Sequence, residues 1–446
     1  MSFVAASTTT EPIVSPAGLI IECDVAESIP AVRTARSGIQ VLVLVRLFSE
    51  PIGMLAESLP ADGLDPASLA RIIVRDLGDE LAERFAECGL PWTGEIPVSG
   101  LTPPGTPRFL ATRERVMREG PQITAVICTR DRSAGLAKTL ESLSAQQYRR
   151  MSVLVVDNAP TDDRTREVVR EAQGAYPFDI DYVVEPRPGL SWARNRAIEE
   201  SSGEVIAWVD DDERCDPWWA AEIARGYVEV PEADAVSGII VPGELMTESQ
   251  VLFENYSGVR RGRGFARAVF SPATASKQSP LYPLPPFGAG GNMSFRREAL
   301  KLIGGFDCAL GAGTLTQGGE DTAALSALLL AGGTVVYQPT AIVHHFHRRE
   351  YASLRRQLQG YGRGLTAFYL SVVLRRPACV AELVRLSGKS VREEFGAGDG
   401  QRLGEIGTDF PRELLRAHTI GLLQGPFAYL AAAVQARRLR RTVSGP

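Results

Sequence analysis

Between Ile123 and Val209, short apolar runs alternate with stretches of helical periodicity, and this alternation narrows the fold more than any other feature. Ile123 to Cys128, Val153 to Val156, Tyr182 to Glu185 and Glu204 to Val209 read as strands. Leu136 to Leu143, Thr165 to Ala172 and Ser191 to Glu200 read as the helices between them. A βαβαβαβ order predicts a mostly parallel sheet with helices on both faces, because each crossover helix must return the chain to the same end of the sheet. Ligands of such sheets lie beyond the carboxyl ends of the strands. The polar motifs of this chain fall at those ends.

The fourth strand runs straight into Val209-Asp210-Asp211-Asp212-Glu213. Adjacent carboxylates repel one another, and loss of water at a strand end makes this worse. A divalent cation resolves the conflict. Hard oxygen ligands suit Mg2+ or Mn2+, which commonly share their remaining positions with water and substrate phosphates. The plain alternative is an acidic turn that caps a helix before Pro217; the neighbouring motifs favour the cation.

After the first strand stands Cys128-Thr129-Arg130-Asp131-Arg132. No GxGxxG and no Walker loop occupies this place, which argues against nicotinamide binding and P-loop chemistry. The second strand ends in Val156-Asp157-Asn158-Ala159-Pro160-Thr161-Asp162. Asp157 there either accepts an N–H from a base edge or makes a turn; Asn158 and Thr161 read as capping groups. Arg194 and Arg196 lie in the first turns of a helix that begins near Ser191. Cations at that end oppose the helix dipole, so an anionic partner is expected, either a ligand or a nearby acid.

Farther on, Gly288-Ala289-Gly290-Gly291-Asn292 leads into a strand from Asn292 to Phe295. Its glycines permit close backbone approach, and Asn292 is a candidate for binding sugar or phosphate. Thr316-Gln317-Gly318-Gly319-Glu320-Asp321 precedes the helix Thr322 to Leu330, so its acids either cap that helix or present a catalytic carboxylate. His344, His345 and His347 are three of the four histidines in the chain. Their clustering beside a predicted cation site points to a ligand role for one of them.

The 446 residues suffice for two or three domains. Residues 1–17 are Ser/Thr/Pro-rich and are expected to be disordered. Residues 18–88 read as a small α+β unit: a strand from Ile39 to Phe48, turn chemistry at Glu50-Pro51-Ile52-Gly53, and a helix from Leu69 to Phe85. Residues 89–120 read as a Pro-rich linker, 121–350 as the α/β domain, and 351–446 as a helical, basic and apolar extension. A net charge of −5 gives no reason to expect nucleic acid as a partner. The six cysteines form no CxxC pair, which disfavours zinc and disulfides and suits a reducing cytosol. No secretory signal pattern and no spanning apolar run is visible.

The ordered set CTRDR, VVDNAPTD, GLSWARNRAI, VDDDE, GAGGNMSFRREALKLIGGFD, GGED and HHFH resembles the family 2 glycosyltransferases of GT-A fold, over roughly Gln122 to Arg349. That resemblance implies an inverting, metal-dependent transfer of a sugar from a nucleoside diphosphate to an acceptor hydroxyl. It implies Mn2+ or Mg2+ held by Asp210, Asp212 and His345, and a donor site of Thr129, Arg130, Asp131, Asp157, Arg194, Asp210 and Asp211. Gly291, Asn292 and Glu320 fall on the acceptor side, with Asp321 as the general base. The acceptor class is a cell-surface glycan, a lipid-linked saccharide or a secondary metabolite. Two rivals are a nucleotidyltransferase, which would show a Gly/Lys-rich phosphate loop, and a non-catalytic sugar-nucleotide-binding protein, which would lack some of these acids.

Two arginine-flanked apolar stretches, Leu354 to Arg376 and Leu414 to Arg441, suit an interfacial helix on a membrane, packing on the catalytic domain, or a homo-oligomer contact. The expected location is cytoplasmic, at the inner face of the plasma membrane if that surface contact is made.

Overall fold

The computed structural model describes residues 17–34, 38–101, 105–257, 263–274, 278–282, 286–386 and 410–443. The disorder expected for residues 1–17 therefore falls, apart from Ala17, outside the described residues, as do Pro103 and Pro104 of the linker and residues 387–409 of the extension.

Three strands, β1 (Gly18–Asp24), β2 (Gln40–Leu47) and β3 (Glu50–Ser58), form a sheet in the order β1-β2-β3. Helix α1 (Pro66–Cys88) covers it, burying Leu69, Ile73, Leu77, Leu81 and Phe85 against Val41, Val43 and Val45. Asp65 starts this helix by accepting the Ala67 and Ser68 N–H groups, each at 3.0 Å. The turn expected at Glu50 to Gly53 is displaced. The chain reverses at Phe48 and Ser49, whose φ values of 51° and 70° are those of a two-residue hairpin. No glycine marks this turn; the Asp24 carboxylate holds it by accepting the Phe48 and Ser49 N–H groups at 3.0 and 2.5 Å. Pro51 sits instead at a bulge in edge strand β3, opposite Arg46, where a missing donor is tolerated.

The segment 89–120 is not all linker. Helix α2 (Arg108–Glu119) lies within it and buries Phe109, Arg113 and Val116. The prolines before it hide the helix in the sequence, and a buried arginine breaks its apolar pattern. Arg113 is buried because its Nε donates to Glu222 at 2.8 Å.

The larger sheet is built from β4 (Ile123–Thr129), β5 (Met151–Asn158), β6 (Ile180–Glu185), β7 (Val205–Trp208), β8 (Glu213–Cys215), β9 (Ala235–Pro242), β10 (Ala268–Phe270), β11 (Met293–Arg296) and β12 (Val335–His345). Its order is β10-β12-β9-β11-β7-β4-β5-β6, with β8 paired to β12. The pairs β4–β5, β5–β6, β4–β7 and β9–β12 are parallel, while β11, β10 and β8 run antiparallel to their neighbours. Side chains alternate strictly. Ile123, Ala125 and Ile127 face helices α3 (Ser133–Ser144), α4 (Arg164–Ala172) and α6 (Trp219–Glu229). Val126 faces α5 (Leu190–Glu200), α8 (Arg297–Ile303) and α9 (Glu320–Leu330). The remaining helix of this region is α7 (Glu248–Ser257). The order reverses between β7 and β4, which is where an open α/β sheet opens a crevice for ligand.

Two long helices follow, α10 (Tyr351–Arg375) and α11 (Arg412–Val443). Their backbones nearly touch: a Cβ on Gly362, Gly421 or Gly425 would overlap main-chain or side-chain atoms of the opposite helix. Pro426 lies inside α11 and has no N–H for the Leu422 carbonyl; Thr366 Oγ1 donates to that carbonyl at 2.7 Å instead. Among the described residues no helix is long and apolar enough to cross a membrane.

Buried charge joins the small sheet to the large one. The fully buried Glu50 contacts Arg84 at 2.6 Å and Arg225 at 2.5 Å. Arg46 pairs with Asp216 and with Glu22, both at 2.8 Å.

Candidate active site

Strands β7, β4 and β5 are neighbours, and their carboxyl ends place the Asp210–Asp212 triplet, Thr129 and Asp157 along one edge. The three aspartates have different environments. Asp211 turns inward, where its Oδ2 accepts the Thr129 hydroxyl at 2.7 Å and its Oδ1 meets Arg132 Nη1 at 2.5 Å. Burial pushes its pKa up to about 6 against the pull of Arg132. Asp212 faces Arg132 Nη2 at 2.9 Å and His345 Nε2 at 3.5 Å, with Arg348 at 3.9 Å. Burial would raise the Asp212 pKa, but His345 and Arg132 outweigh it and hold the carboxyl well below the usual range. Asp210 has the most accessible side chain of the three, 39% exposed. Its N–H donates to Glu213 Oε2 at 2.8 Å. Glu213 itself is buried, and that burial, with Asp210 nearby, raises its pKa well above the ordinary value.

Asp157 is also fully buried. Its Oδ2 accepts the Tyr182 hydroxyl at 2.7 Å, while its Oδ1 has no partner. Burial raises its pKa, with Tyr182 opposing. A buried acceptor without a donor is costly, and a base N–H would relieve it. Asn158 does not cap the next helix as expected: its Oδ1 accepts the Gly189 N–H at 2.9 Å and its Nδ2 donates to the Arg187 carbonyl at 2.7 Å, which ties the end of β5 to the loop before α5. Asp131 accepts the Thr161 N–H at 2.9 Å, and Arg130 is exposed beside it.

The α9 loop supplies the opposite wall. Gly319, at φ 90°, begins that helix where a side chain would collide with the Gly364 carbonyl of α10. Asp321 Oδ2 accepts the Gly290 N–H at 2.8 Å, and its Oδ1 accepts the Thr322 N–H at 2.7 Å. Arg194 connects the two walls. It donates to Glu320 at 3.0 Å and to the Gly290 carbonyl at 3.1 Å, and stands 3.9 Å from Asp210.

Several expected contacts are corrected. Asn292 is no sugar ligand: its Oδ1 accepts Trp219 Nε1 at 2.9 Å, and its Nδ2 donates to the Ile239 and Ala341 carbonyls at 2.7 and 2.8 Å. It is a fully used internal joint between β9, β12 and α6. Gly291 is buried against the Glu213 carboxylate, which a Cβ would overlap. Glu320 Oε1 and Arg194 Nη1 pair at 3.0 Å, while the buried Glu320 Oε2 and Arg194 Nε have no hydrogen-bond partner among the described residues. Thr129 and Asp211 satisfy each other. Asn292, Gly291, Thr129 and Asp211 shape the site from behind.

The histidines separate cleanly. His345 faces Asp212. His344 lies 3.4 Å from Glu22 of β1, and His347 lies 2.6 Å from Glu254 of α7. Sequence reasoning assigned nothing to Arg132, although a cation at a strand end opposite three acids is a readable signal. Tyr182 and Glu213 carry no such signal.

Among the described residues, no three His, Cys, Asp or Glu side chains gather as a self-sufficient metal cage. Asp212 with His345 is a two-donor set of the oxygen and imidazole type. It fits Mn2+ or Mg2+ that draws its remaining ligands from phosphate and water.

Residues 124–304 match the family model described as Glycosyl transferase family 2. That stretch is a family 2 glycosyltransferase domain. The protein is an enzyme that transfers glycosyl groups, rather than a nucleotidyltransferase or a non-catalytic binding protein. The glycosyltransferase is 26% identical over 234 residues to the glucosyl-dolichyl phosphate glucuronosyltransferase of Haloferax volcanii, covering 50% of this chain and 69% of that protein. It is 28% identical over 232 residues to the succinoglycan biosynthesis protein ExoM of Rhizobium meliloti, covering 49% and 64%. The matched part thus spans about two thirds of each curated relative. A solved mannosyltransferase from Pyrobaculum calidifontis, in complex with GDP-Man and Mn2+, superposes with a TM-score of 0.44 at 19% identity, covering 73% of this chain and 93% of that one.

Proposed function

We propose that the protein is an inverting, divalent-metal-dependent glycosyltransferase that moves a sugar from a nucleoside diphosphate to an acceptor hydroxyl. The observation that carries this reading is the Arg194–Gly290 link, which holds Asp210 of the β7 edge and Asp321 of the α9 loop as opposite walls of one site. Two carboxylates so arranged can serve separate roles, one at the leaving diphosphate and one at the attacking hydroxyl.

Asp157 binds the nucleotide base, taking an N–H onto its unpartnered Oδ1. Arg130, Arg132 and Arg348 give the neighbouring edge the positive charge that a diphosphate needs. Asp212 and His345, with Asp210 beside them, would hold Mn2+ or Mg2+, whose chemistry is to neutralise charge on the departing diphosphate. Asp321 accepts the proton of the acceptor hydroxyl, and its two backbone hydrogen bonds fix the direction of its lone pairs. Attack from the face opposite the diphosphate inverts the anomeric centre. The acceptor class is a glycan or lipid-linked saccharide; the relatives named for glucosyl-dolichyl phosphate and succinoglycan support it. An acceptor held at a membrane also suits the C-terminal helices, whose outer face is apolar and basic.

A thermal-shift panel of nucleotide sugars with Mn2+ identifies the donor, since a selective ligand raises the melting temperature by mass action. Turnover of that donor is then expected to stop with EDTA and in Asp212→Asn. EDTA-insensitive turnover in Asp212→Asn would overturn the metal assignment, and a product that keeps the donor's anomeric configuration would overturn inversion.

A further inference from the structure

Helix α11 uses only part of its circumference against the body of the protein. Leu414, Ala417, Gly421, Gly425, Tyr429, Ala432 and Ala436 point inward and are buried. The outer side is not polar. Ile420, Leu423, Phe427, Leu430 and Val434 are 45%, 71%, 77%, 51% and 48% exposed. Their spacing of three and four residues puts them on one stripe. At about 1.5 Å per residue the stripe is roughly 21 Å long.

The stripe ends in positive charge. Arg416 stands one turn before Ile420, and Arg438 and Arg441 stand one and two turns after Val434; all are exposed and on the same side. The helix carries no Asp or Glu after Glu413, and Glu413 is paired with Arg355 at 2.9 Å. A second copy of this chain is a poor occupant for such a face. Antiparallel pairing would set Arg416 against Arg438 and Arg441 of the other copy, and parallel pairing would set each arginine against itself. Among the described residues of α11, no unpaired carboxylate lies on the face to neutralise either arrangement. An apolar stripe bracketed by arginines is complementary to a lipid surface whose headgroups are anionic.

We propose that α11 lies in the plane of an anionic membrane surface, with Ile420, Leu423, Phe427, Leu430 and Val434 among the acyl chains and Arg416, Arg438 and Arg441 at the headgroups. The seat is mechanically close to the catalytic loop. Glycines of α11 abut α10, and Gly364 of α10 abuts Gly318 and Gly319, which lead into Asp321. One helix therefore separates the lipid-facing stripe from the proposed base. Resting on the function proposed above, this geometry makes the acceptor a saccharide carried on that surface.

The test is co-sedimentation of the full-length protein with vesicles of phosphatidylcholine, alone or mixed with phosphatidylglycerol. Wild type is expected to pellet with the mixed vesicles, weakly with the neutral ones, and less as salt rises. Leu423→Glu combined with Phe427→Glu should weaken the partition at least about tenfold on mixed vesicles. Arg438→Glu with Arg441→Glu should weaken it on the anionic vesicles alone, at about fivefold for each positive charge lost. Leu302→Glu, at a residue 62% exposed on α8, is the control and should change nothing. Melting temperatures show that each variant is folded. Equal pelleting of wild type and the Leu423/Phe427 variant would overturn the proposal, as would absence of wild-type pelleting at low salt. So would a dimer, seen by light scattering, that the Leu423/Phe427 variant dissociates. None of these readouts depends on turnover, so failure of the glycosyl-transfer reading leaves them unmoved.

Discussion

On the function proposed above, Asp321→Asn separates a general-base role of Asp321 from an architectural one. In wild type each carboxylate oxygen has its own backbone donor, Gly290 N–H at 2.8 Å and Thr322 N–H at 2.7 Å. Asparagine offers one acceptor oxygen and one NH2 group, so it can satisfy only one of these donors. The other faces a donor or turns toward solvent. Losing one such partly buried bond costs about 1–3 kcal/mol. Loss of a general base costs ~10²–10⁴-fold in rate. Asp321→Asn is therefore expected to melt several degrees lower, to bind donor with little change, and to lose at least about a hundredfold in kcat. Asp321→Ala removes both bonds and should melt lower still, with the same loss of turnover. Calorimetric titration with the donor and steady-state turnover of both variants provide the measurement. If Asp321 merely ties the α9 loop to Gly290, then kcat should follow the melting temperature, falling further in the Ala variant than in the Asn variant. Near-normal turnover in Asp321→Asn would refute the base outright.

Other substitutions probe the rest of the site. Asp157→Ala is expected to weaken donor binding at least about tenfold and to cost only about 1 kcal/mol of stability, because the buried Oδ1 has no protein partner and the Tyr182 hydroxyl at Oδ2 is the one hydrogen bond lost. Normal donor affinity with a much lower melting temperature would make it structural. Asn292→Ala should cost about 2–4 kcal/mol in urea unfolding, since Trp219, Ile239 and Ala341 each lose a buried partner. An Asn292 variant that loses activity with unchanged stability would restore its sugar-binding role. Asp211→Asn tests a pH effect. The ordinary Asp value of 3.8 rises to about 6 in the folded chain, so this group's contribution is fully present below 3.8 and is lost as pH rises through 6. Thermal melts between those limits should show the Asn variant gaining stability relative to wild type as pH rises, and a flat difference would rule out the raised value.

Helices and strands that repeat with a clear period were legible. The helix expected over Leu136–Leu143 is the interior of α3, and the strand expected over Val153–Val156 is the interior of β5. The placement of Asp157 and the acidic triplet at strand ends followed from the βαβ order alone. The antiparallel insertion of β11 between β7 and β9 was not legible, because it depends on pairing across distant parts of the chain. Helix α2 was hidden because its buried face includes Arg113, a residue whose burial makes sense only once Glu222 is beside it. Asn292 shows a different limit. An amide that points at a ligand and an amide that crosslinks three backbone segments look identical in sequence, and only the positions of Trp219, Ile239 and Ala341 distinguish them. The same holds for the histidines, which occupy neighbouring positions yet face Glu22, Asp212 and Glu254 in turn.

Four consecutive acids, Asp210 to Glu213, can coexist at a strand end because each meets a different environment. Glu213 is buried and pushed strongly toward its neutral form, so it adds a hydrogen-bond acceptor for Asp210 N–H with little added charge. Asp211 is also pushed up, and it is partnered by Thr129 and Arg132. Asp212 alone is pulled down, by His345 and Arg132, and it remains ionised when its neighbours tend to neutrality. Asp210 keeps its side chain in contact with water. Arg132 is therefore the internal counter-cation of the loop, bound to Asp211 at 2.5 Å and to Asp212 at 2.9 Å with its side chain 38% exposed. On the function proposed above, Asp212 and His345 would hold a divalent cation, and the Arg132 guanidinium beside them would supply positive charge to the diphosphate. The acidic cluster thus limits mutual repulsion by burying Glu213 and Asp211 and by setting Arg132 and His345 against Asp212.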